Sequence, residues 1–124
     1  MKRLIAAAIL LILVISSFLG GYFYINRTCD KAEKLLEECF YAYEQNQNAE
    51  KEAEKLKKFW DEKEKILSIF ANHAHIDEIE AGIGALKAHS SFGDSKMFYD
   101  YYSALKTLLH QMMEDTVFGM HSIL

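Results

Sequence analysis

The sequence contains no proline, and only six of its 124 residues are glycine. Proline ends or kinks a helix and glycine weakens one, so this chain carries few helix-breaking signals. Alanine, glutamate, lysine and leucine, which favour helix, are frequent instead. No glycine- and serine-rich linker or low-complexity tract divides the chain. The composition therefore predicts a protein that is helical through most of its length.

The motifs that usually accompany catalysis are also missing. The chain has no glycine-rich phosphate loop, no nucleophile elbow and no Cys-x-x-Cys motif. Carboxylates are abundant, but abundance alone does not define an acid and a base with separate pKa values. We therefore predict neither enzymatic activity nor a cofactor.

Cysteine is scarce, with Cys29 and Cys39 as the two examples. If they share one helix, ten positions separate them by about 15 Å along the axis, which is too far for a disulfide. The alternatives are two free thiols, a bond between two chains, or a break in the helix.

The charge balance argues against nucleic acid as a partner. The chain has 14 basic and 18 acidic side chains. Without Lys2 and Arg3, which precede a long apolar run, twelve basic and eighteen acidic side chains remain, a net charge of −6. Nucleic-acid phosphates are bound by basic faces. The two signs are mixed along the chain, as is typical of solvated helices.

The apolar run extends from Leu4 to Ile25 and contains no charged residue. A helix needs about 20 such residues to cross a bilayer core of about 30 Å, so residues 4–25 are predicted to contact the lipid bilayer. Tyr22, Phe23 and Tyr24 end the run and are the predicted membrane-interface residues, because aromatic rings favour the headgroup layer.

A cleaved signal peptide is the alternative to a retained anchor. Its apolar region is typically about 7–15 residues long and is followed by small residues at a cleavage site. This run is longer, and the bulky Leu19 stands two residues before Gly21, the candidate site. We predict a signal anchor in the cytoplasmic membrane, crossing it once, with the short basic tail inside and the following domain outside.

Four amphipathic helices are predicted after the anchor. The first begins at Thr28 or Asp30, and the second covers about residues 49–72 with Trp60 in its apolar stripe. The third follows a break near residues 72–75, and the fourth covers about residues 95–116, with Asp94 as its candidate cap. The fold class is all-α: a transmembrane helix in residues 1–25, followed by a small antiparallel bundle of about four helices in residues 26–124.

One group of residues has side chains suited to metal binding. His73, His75 and Asp77 lie at a predicted helix junction, with Glu78 and Glu80 beside them. Their spacing fits no known metal motif, and the acids alternatively complement the dipole in the first turn of the third helix. The prediction is no resident metal, with His73, His75 and Asp77 as the candidate ligands if one binds.

Three segments give the chain a family resemblance: MKRLIAAAILLIL, CDKAEKLLEEC and ILSIFANHAHIDEIE, with Trp60 and His73 among the distinctive matches. Together they resemble the DUF4363 family of small single-span bacterial membrane proteins. The resemblance covers nearly the full chain. The family has no established activity, so it implies an architecture and a location but no mechanism.

The functional hypothesis is a membrane-tethered interaction or adaptor module that binds another membrane or envelope protein. Self-association is a second option for a partner, because Ser16 with Gly20 and Ser17 with Gly21 have the spacing of close helix contacts. Tyr99 lies outside the apolar stripe of its helix and is the candidate for surface contact. The alternative function is an extracytoplasmic sensory or ligand-binding bundle, with metal near His73 and His75.

Overall fold

The computed structural model describes residues 1–46, 48–91 and 95–123, with side chains as far as residue 115. These residues form four helices, α1 (Lys2–Asn46), α2 (Glu50–Phe70), α3 (His73–Ala88) and α4 (Ser95–Ile123). The prediction of an all-α fold, with a long apolar N-terminal helix followed by a bundle, is confirmed. Asp94, the candidate cap of the last helix, lies outside the described residues.

Helix α1 continues without a break past the predicted domain boundary at residue 25. Thr28 and Asp30, predicted to begin a separate helix, both lie inside α1, and Thr28 is buried. The prediction was wrong because capping residues act only where the helical hydrogen bonds stop, and no glycine or proline interrupts residues 22–46. Buried residues recur every four and three positions: Ile25, Cys29, Ala32, Leu36, Cys39 and Tyr43. The first helix of the bundle is therefore the direct extension of the apolar run.

Exposure divides α1 into two parts. Every residue from 1 to 20 is exposed, and burial begins at Gly21. Large apolar side chains lie on all sides of the first part; Leu10 and Leu13, for example, are 63% and 58% exposed. Among the described helices, α1 alone is long and apolar enough to cross a membrane.

The four helices form an antiparallel bundle in which α1 and α3 each pack against α2 and α4. Contacts between α1 and α4 run in opposite chain directions: Glu44 meets Tyr99, Glu33 meets His110, and Cys29 meets Met112. One end of the bundle, where α2 turns into α3, lies beside Gly21 and is called the proximal end. At the opposite, distal end, the amide of Ala49 donates to the carbonyl of Ser90 at 2.7 Å.

The core contains one side chain from most turns of each helix. Trp60 is 1% exposed, as its place in the apolar stripe predicts, and Phe98 stacks on Tyr43 with ring centroids 4.0 Å apart. Phe70 lies at the end of the same stripe as Trp60 but is 43% exposed, because it extends past the proximal end of the bundle. The indole nitrogen of Trp60 is buried and has no hydrogen-bond partner among the described residues.

Two glycines of α3 have different surroundings. A Cβ atom on Gly82 would lie 2.8 Å from Cδ2 of Leu105, so this glycine permits close packing of α3 against α4. A Cβ atom on Gly84 would meet nothing within 4 Å. Close packing therefore explains the glycine at position 82. Gly84 lowers the stability of α3, and no packing contact offsets that loss.

We expect Gly84→Ala to raise the free energy of unfolding by about 0.5–1 kcal/mol, because alanine favours a helix interior over glycine by that amount. Chemical unfolding of the full chain in detergent, followed by far-UV circular dichroism, measures the change. Gly82→Ala is the matched control, since the same gain in helix propensity is offset there by the displacement of Leu105. Equal stabilisation by both variants would contradict the conclusion that close packing requires glycine at position 82 and not at position 84.

Candidate functional sites

The predicted metal ligands lie at the proximal end but do not share one position. His75 is half-buried, and its Nε2 atom contacts the Asp115 carboxylate of α4. His73 and Asp77 are exposed on the first turns of α3. Among the described residues, the side chains close enough to share an ion are those of Asp61, Glu64 and Glu80, which are none of the predicted ligands. The prediction of no resident metal, with His73, His75 and Asp77 as the candidate ligands if one binds, stays a prediction.

The beginning of α3 differs from the sequence prediction. The helix starts at His73, so no acidic residue lies in its first turn, and Asp77 and Glu78 come too late to complement the dipole there. Asn72 is the N-cap residue, and its side-chain oxygen accepts a hydrogen bond from the amide of Ala74 at 2.9 Å. Asparagine is among the preferred N-cap residues, so the signal was present one position before His73.

Three carboxylates meet on the surface between α2 and α3. Oxygens of Asp61, Glu64 and Glu80 all lie within 4.8 Å of one another. Desolvation of Glu64, together with the negative charges of Glu80, Asp61 and Asp77, raises the pKa of the Glu64 carboxyl. Such a cluster has the chemistry to attract a cation, and without one its charges repel each other.

We expect Glu64→Gln to raise the free energy of unfolding at pH 7 by about 0.5 kcal/mol, because it removes like-charge repulsion at a partly exposed site. A raised pKa in the folded state means that the folded chain binds the proton more tightly than the unfolded chain. This contribution to stability is fully present below the pKa of the unfolded glutamate and is lost as pH rises through the folded pKa. The advantage of the variant should therefore disappear at acidic pH.

Unfolding curves at several pH values test this expectation. Glu62→Gln is the matched control, since Glu62 is an exposed neighbour on α2 outside the carboxylate group. A Glu64→Gln variant that is no more stable than the Glu62→Gln variant at pH 7 would refute the repulsion.

The predicted interface aromatics lie where α1 passes from its exposed part into the bundle. Phe23 is 60% exposed, and its ring meets the edge of Tyr22 with centroids 5.8 Å apart. Tyr24 is half-buried against the core. Its hydroxyl group is buried and has no hydrogen-bond partner among the described residues. The three side chains therefore surround α1 at the level of the proximal end.

Phe70 at the end of α2 occupies the small-residue face of α1. A Cβ atom built on Gly21 would overlap the Phe70 ring. Ser17 and Phe18 of α1 line a shallow groove with the same ring. The side of α1 that carries Ser17 and Gly21 is thus in contact with Phe70 of the same chain. A Cβ atom on Gly20, by contrast, would meet nothing within 4 Å.

An aromatic cluster lies on the outer surface of α1 and α4 towards the distal end, and we call it the distal aromatic patch. It contains Phe40, Tyr41, Tyr99 and Tyr102, and the ring centroids of the other three lie 4.8–5.9 Å from that of Phe40. Tyr41 is 63% exposed. The Tyr99 hydroxyl donates to Glu44 at 2.9 Å, and this bond to a carboxylate is the main cause that raises the pKa of Tyr99. Tyr99 is half-buried against the core, and its hydroxyl reaches the exposed Glu44; its role in surface contact stays a prediction.

Both cysteines are buried free thiols in the core. Burial, and next the negative charge of Glu33, raises the pKa of Cys29 to about 12. Burial, with Glu52 and Glu38, raises the pKa of Cys39 to about 12 as well. Helix α1 is unbroken between the two cysteines, which excludes a bond between them within the chain, and their burial favours two free thiols over a bond between chains.

We expect both thiols of the folded chain to react with Ellman's reagent about a thousandfold more slowly than an exposed cysteine at pH 8, because the thiolate is the reactive form. After denaturation, two thiols per chain should react rapidly. Rapid reaction of either thiol under native conditions would show that its part of the core opens.

The sequence alone did not identify the acidic group on α2 and α3 or the distal aromatic patch. Each depends on which residues of two different helices face one another, and periodicity within one helix does not fix that register. The pattern Phe40-Tyr41 with Phe98-Tyr99 was the available signal, since antiparallel α1 and α4 bring these positions together.

A sequence model of the DUF4363 family, described as a domain of unknown function, matches residues 19–123. No curated protein and no solved structure matches the chain.

Proposed function

The chain belongs to the DUF4363 family, and on that premise we propose that it is a membrane-tethered helical interaction module without catalytic activity. In this proposal residues 4–25 anchor the chain in the cytoplasmic membrane. The bundle stands on the outer side and binds another membrane or envelope protein.

The continuity of α1 is the observation that carries the proposal. Its first 20 residues are exposed and almost wholly apolar, while the next turns enter the bundle core at Gly21 and Ile25. Apolar side chains on all sides of a helix are typical of a membrane span. Because the same helix forms the anchor and one side of the bundle, the module is held at a fixed height above the membrane.

The distal aromatic patch supports the choice of an interaction role. Aromatic side chains are enriched at the centres of protein interfaces, where tyrosine combines a large apolar area with a polar tip. Tyr41 lies 16 residues beyond Ile25, or about 24 Å along the helix axis. The proposed contact surface is therefore clear of the headgroup layer and accessible to a neighbouring protein.

Site-specific photocrosslinking in native membranes tests the interaction. A photoreactive phenylalanine analogue at Tyr41 should form an adduct of defined mass with one membrane or envelope protein. The same analogue at Lys51, which is exposed on α2 near the same distal end, is the matched control. An adduct at twice the mass of the chain would identify a second copy as the partner. No adduct at Tyr41, or equal adducts at both positions, would contradict the proposal.

Orientation requires an added thiol, because Cys29 and Cys39 are buried. In a Lys51→Cys variant, a membrane-impermeant maleimide should label intact cells as fully as lysed cells. Labelling only after lysis would place the bundle on the inner side.

A further inference from the structure

An open cleft lies beside α1 where its exposed part joins the bundle, and we call it the interface cleft. Its volume is about 490 Å³, and its lining includes Gly20, Tyr24, Arg27, Lys31, Phe59 and Lys63. Gly20 through Lys31 belong to successive turns of α1, and Phe59 and Lys63 come from α2. The cleft is therefore built by the two helices that meet at the proximal end.

The interface cleft is positively charged. Three of its described lining residues, Arg27, Lys31 and Lys63, carry positive charge, and none carries negative charge. None of the three lies within ion-pair distance of a carboxylate in residues 1–46, 48–91 and 95–115. The part of the chain after Arg3 has a net charge of −6, so the charge of this lining is opposite in sign to that of the domain as a whole.

Phe59 lies beside two of these cations. The Lys31 Nζ atom lies 5.3 Å from the centroid of the Phe59 ring, and the Lys63 Nζ atom lies 5.9 Å from it. A cation within about 6 Å of an aromatic ring is attracted by the ring, so Phe59 favours the presence of both ammonium groups in the cleft, although their like charges repel. A bound anion would offset the positive charge of this lining.

Tyr24 also lines the cleft, and it carries a neutral hydrogen-bond donor. Its hydroxyl is buried and finds no partner among the described residues. Buried hydroxyl groups are nearly always hydrogen-bonded in folded proteins, so an oxygen atom at this place would satisfy it. The cleft thus combines cations with an unused donor, which is the chemistry that binds phosphate oxygens.

The position of the cleft along α1 favours a phospholipid phosphate over a free phosphate ion as its ligand. The apolar run ends at Ile25, and Phe23 and Tyr24 of the predicted aromatic belt line the cleft themselves. Phospholipid phosphates lie at this boundary between the hydrocarbon core and water. A groove at the distal end of α2 differs, since there Lys51, Lys55 and Lys58 line it together with Glu50 and Glu54.

We propose that the interface cleft binds the phosphate of an anionic phospholipid through Arg27, Lys31, Lys63 and the Tyr24 hydroxyl. The bound lipid fixes the proximal end of the bundle on the membrane surface. This inference rests on the membrane anchoring in the proposed function and adds a ligand to it.

Native mass spectrometry of the full chain, released from micelles containing equal amounts of phosphatidylglycerol and phosphatidylcholine, tests the site. We expect phosphatidylglycerol to be retained in preference by about tenfold, since each cation near an anionic lipid contributes to binding. The Arg27→Gln, Lys31→Gln, Lys63→Gln triple variant should lose the preference.

Two further variants separate binding from folding and from general charge. Arg27→Lys with Lys31→Arg and Lys63→Arg keeps the three charges and should keep most of the preference. Lys51→Gln with Lys55→Gln and Lys58→Gln removes three charges at the distal groove and should leave the preference unchanged. Equal retention of the two lipids by the natural chain, or a loss in the distal variant equal to that in the cleft variant, would overturn the proposal.

Inorganic phosphate distinguishes the two sources of the anion. Addition of millimolar phosphate should leave the bound phosphatidylglycerol in place. Displacement of the lipid by phosphate would assign the cleft to a free anion and overturn the lipid proposal. Alkaline carbonate extraction of cell membranes that contain the chain tests anchoring separately. A chain that remains in the membrane but shows no lipid preference in micelles refutes the lipid site alone.

Discussion

Replacing Trp60 with alanine is expected to lower the free energy of unfolding by about 4 kcal/mol, because Trp60 is the largest fully buried side chain of the described core. The side chain is 1% exposed and lies in the core, so its removal leaves a cavity that the surrounding helices fill only in part. For a domain of this size the midpoint of thermal unfolding should fall by roughly 20 °C. Circular dichroism of the full chain in detergent measures it.

Trp60→Phe distinguishes ring packing from hydrogen bonding. Phenylalanine keeps much of the apolar area and removes an indole N–H that has no partner among the described residues. We expect a loss of only about 1–2 kcal/mol, because removal of an unsatisfied buried donor offsets part of the lost packing. Tyr41→Ala, at a residue 63% exposed, is the surface control. A Trp60→Phe variant as unstable as Trp60→Ala would mean that the indole nitrogen is satisfied.

The second large effect concerns the proposed anchor. We expect the double substitution Val14→Arg and Ile15→Arg to move the chain from the membrane fraction to the soluble fraction. Each arginine near the centre of a span costs about 2.5–3.5 kcal/mol on insertion scales, so the pair costs about 5–7 kcal/mol. Both residues are exposed in the helix and make no part of the bundle core, so the bundle should remain folded.

Carbonate extraction and immunoblotting measure the distribution between fractions. Val14→Leu with Ile15→Leu is the matched control, which changes the same two positions but keeps the span apolar. Circular dichroism of the arginine variant checks that the bundle has folded. Retention of the folded arginine variant in the carbonate-washed membrane would show that α1 is not what holds the chain there.

Periodicity within each helix was enough to predict the architecture. The spacing of Leu56, Trp60 and Leu67 identified the buried side of α2, and the turn near Asn72 separated α2 from α3. The continuity of α1 was missed because Thr28 and Asp30 have the side chains of cap residues. Cap propensity is a local signal, and unbroken helical hydrogen bonding overrides it.

The candidate sites depend on pairs that local sequence cannot fix. His75 and Asp115 are 40 positions apart and meet only because α3 and α4 pack antiparallel in one particular register. The three lining cations of the interface cleft show the same limit. Arg27 and Lys31 have adjacent-turn spacing that is visible in the sequence, whereas Lys63 joins them only through the packing of α2 on α1.

Because α1 is one continuous helix, it also fixes the rotation of the bundle about the helix axis relative to residues 4–25. Successive residues of a helix are turned by about 100°, so the direction in which Tyr41 points is fixed relative to the side chains of residues 4–25. With residues 4–25 in the bilayer, as proposed, a protein that binds one side of this segment there would determine which way the distal aromatic patch faces. A rotation of residues 4–25 about the helix axis would rotate the whole bundle through the same angle, because α1 is continuous from Lys2 to Asn46.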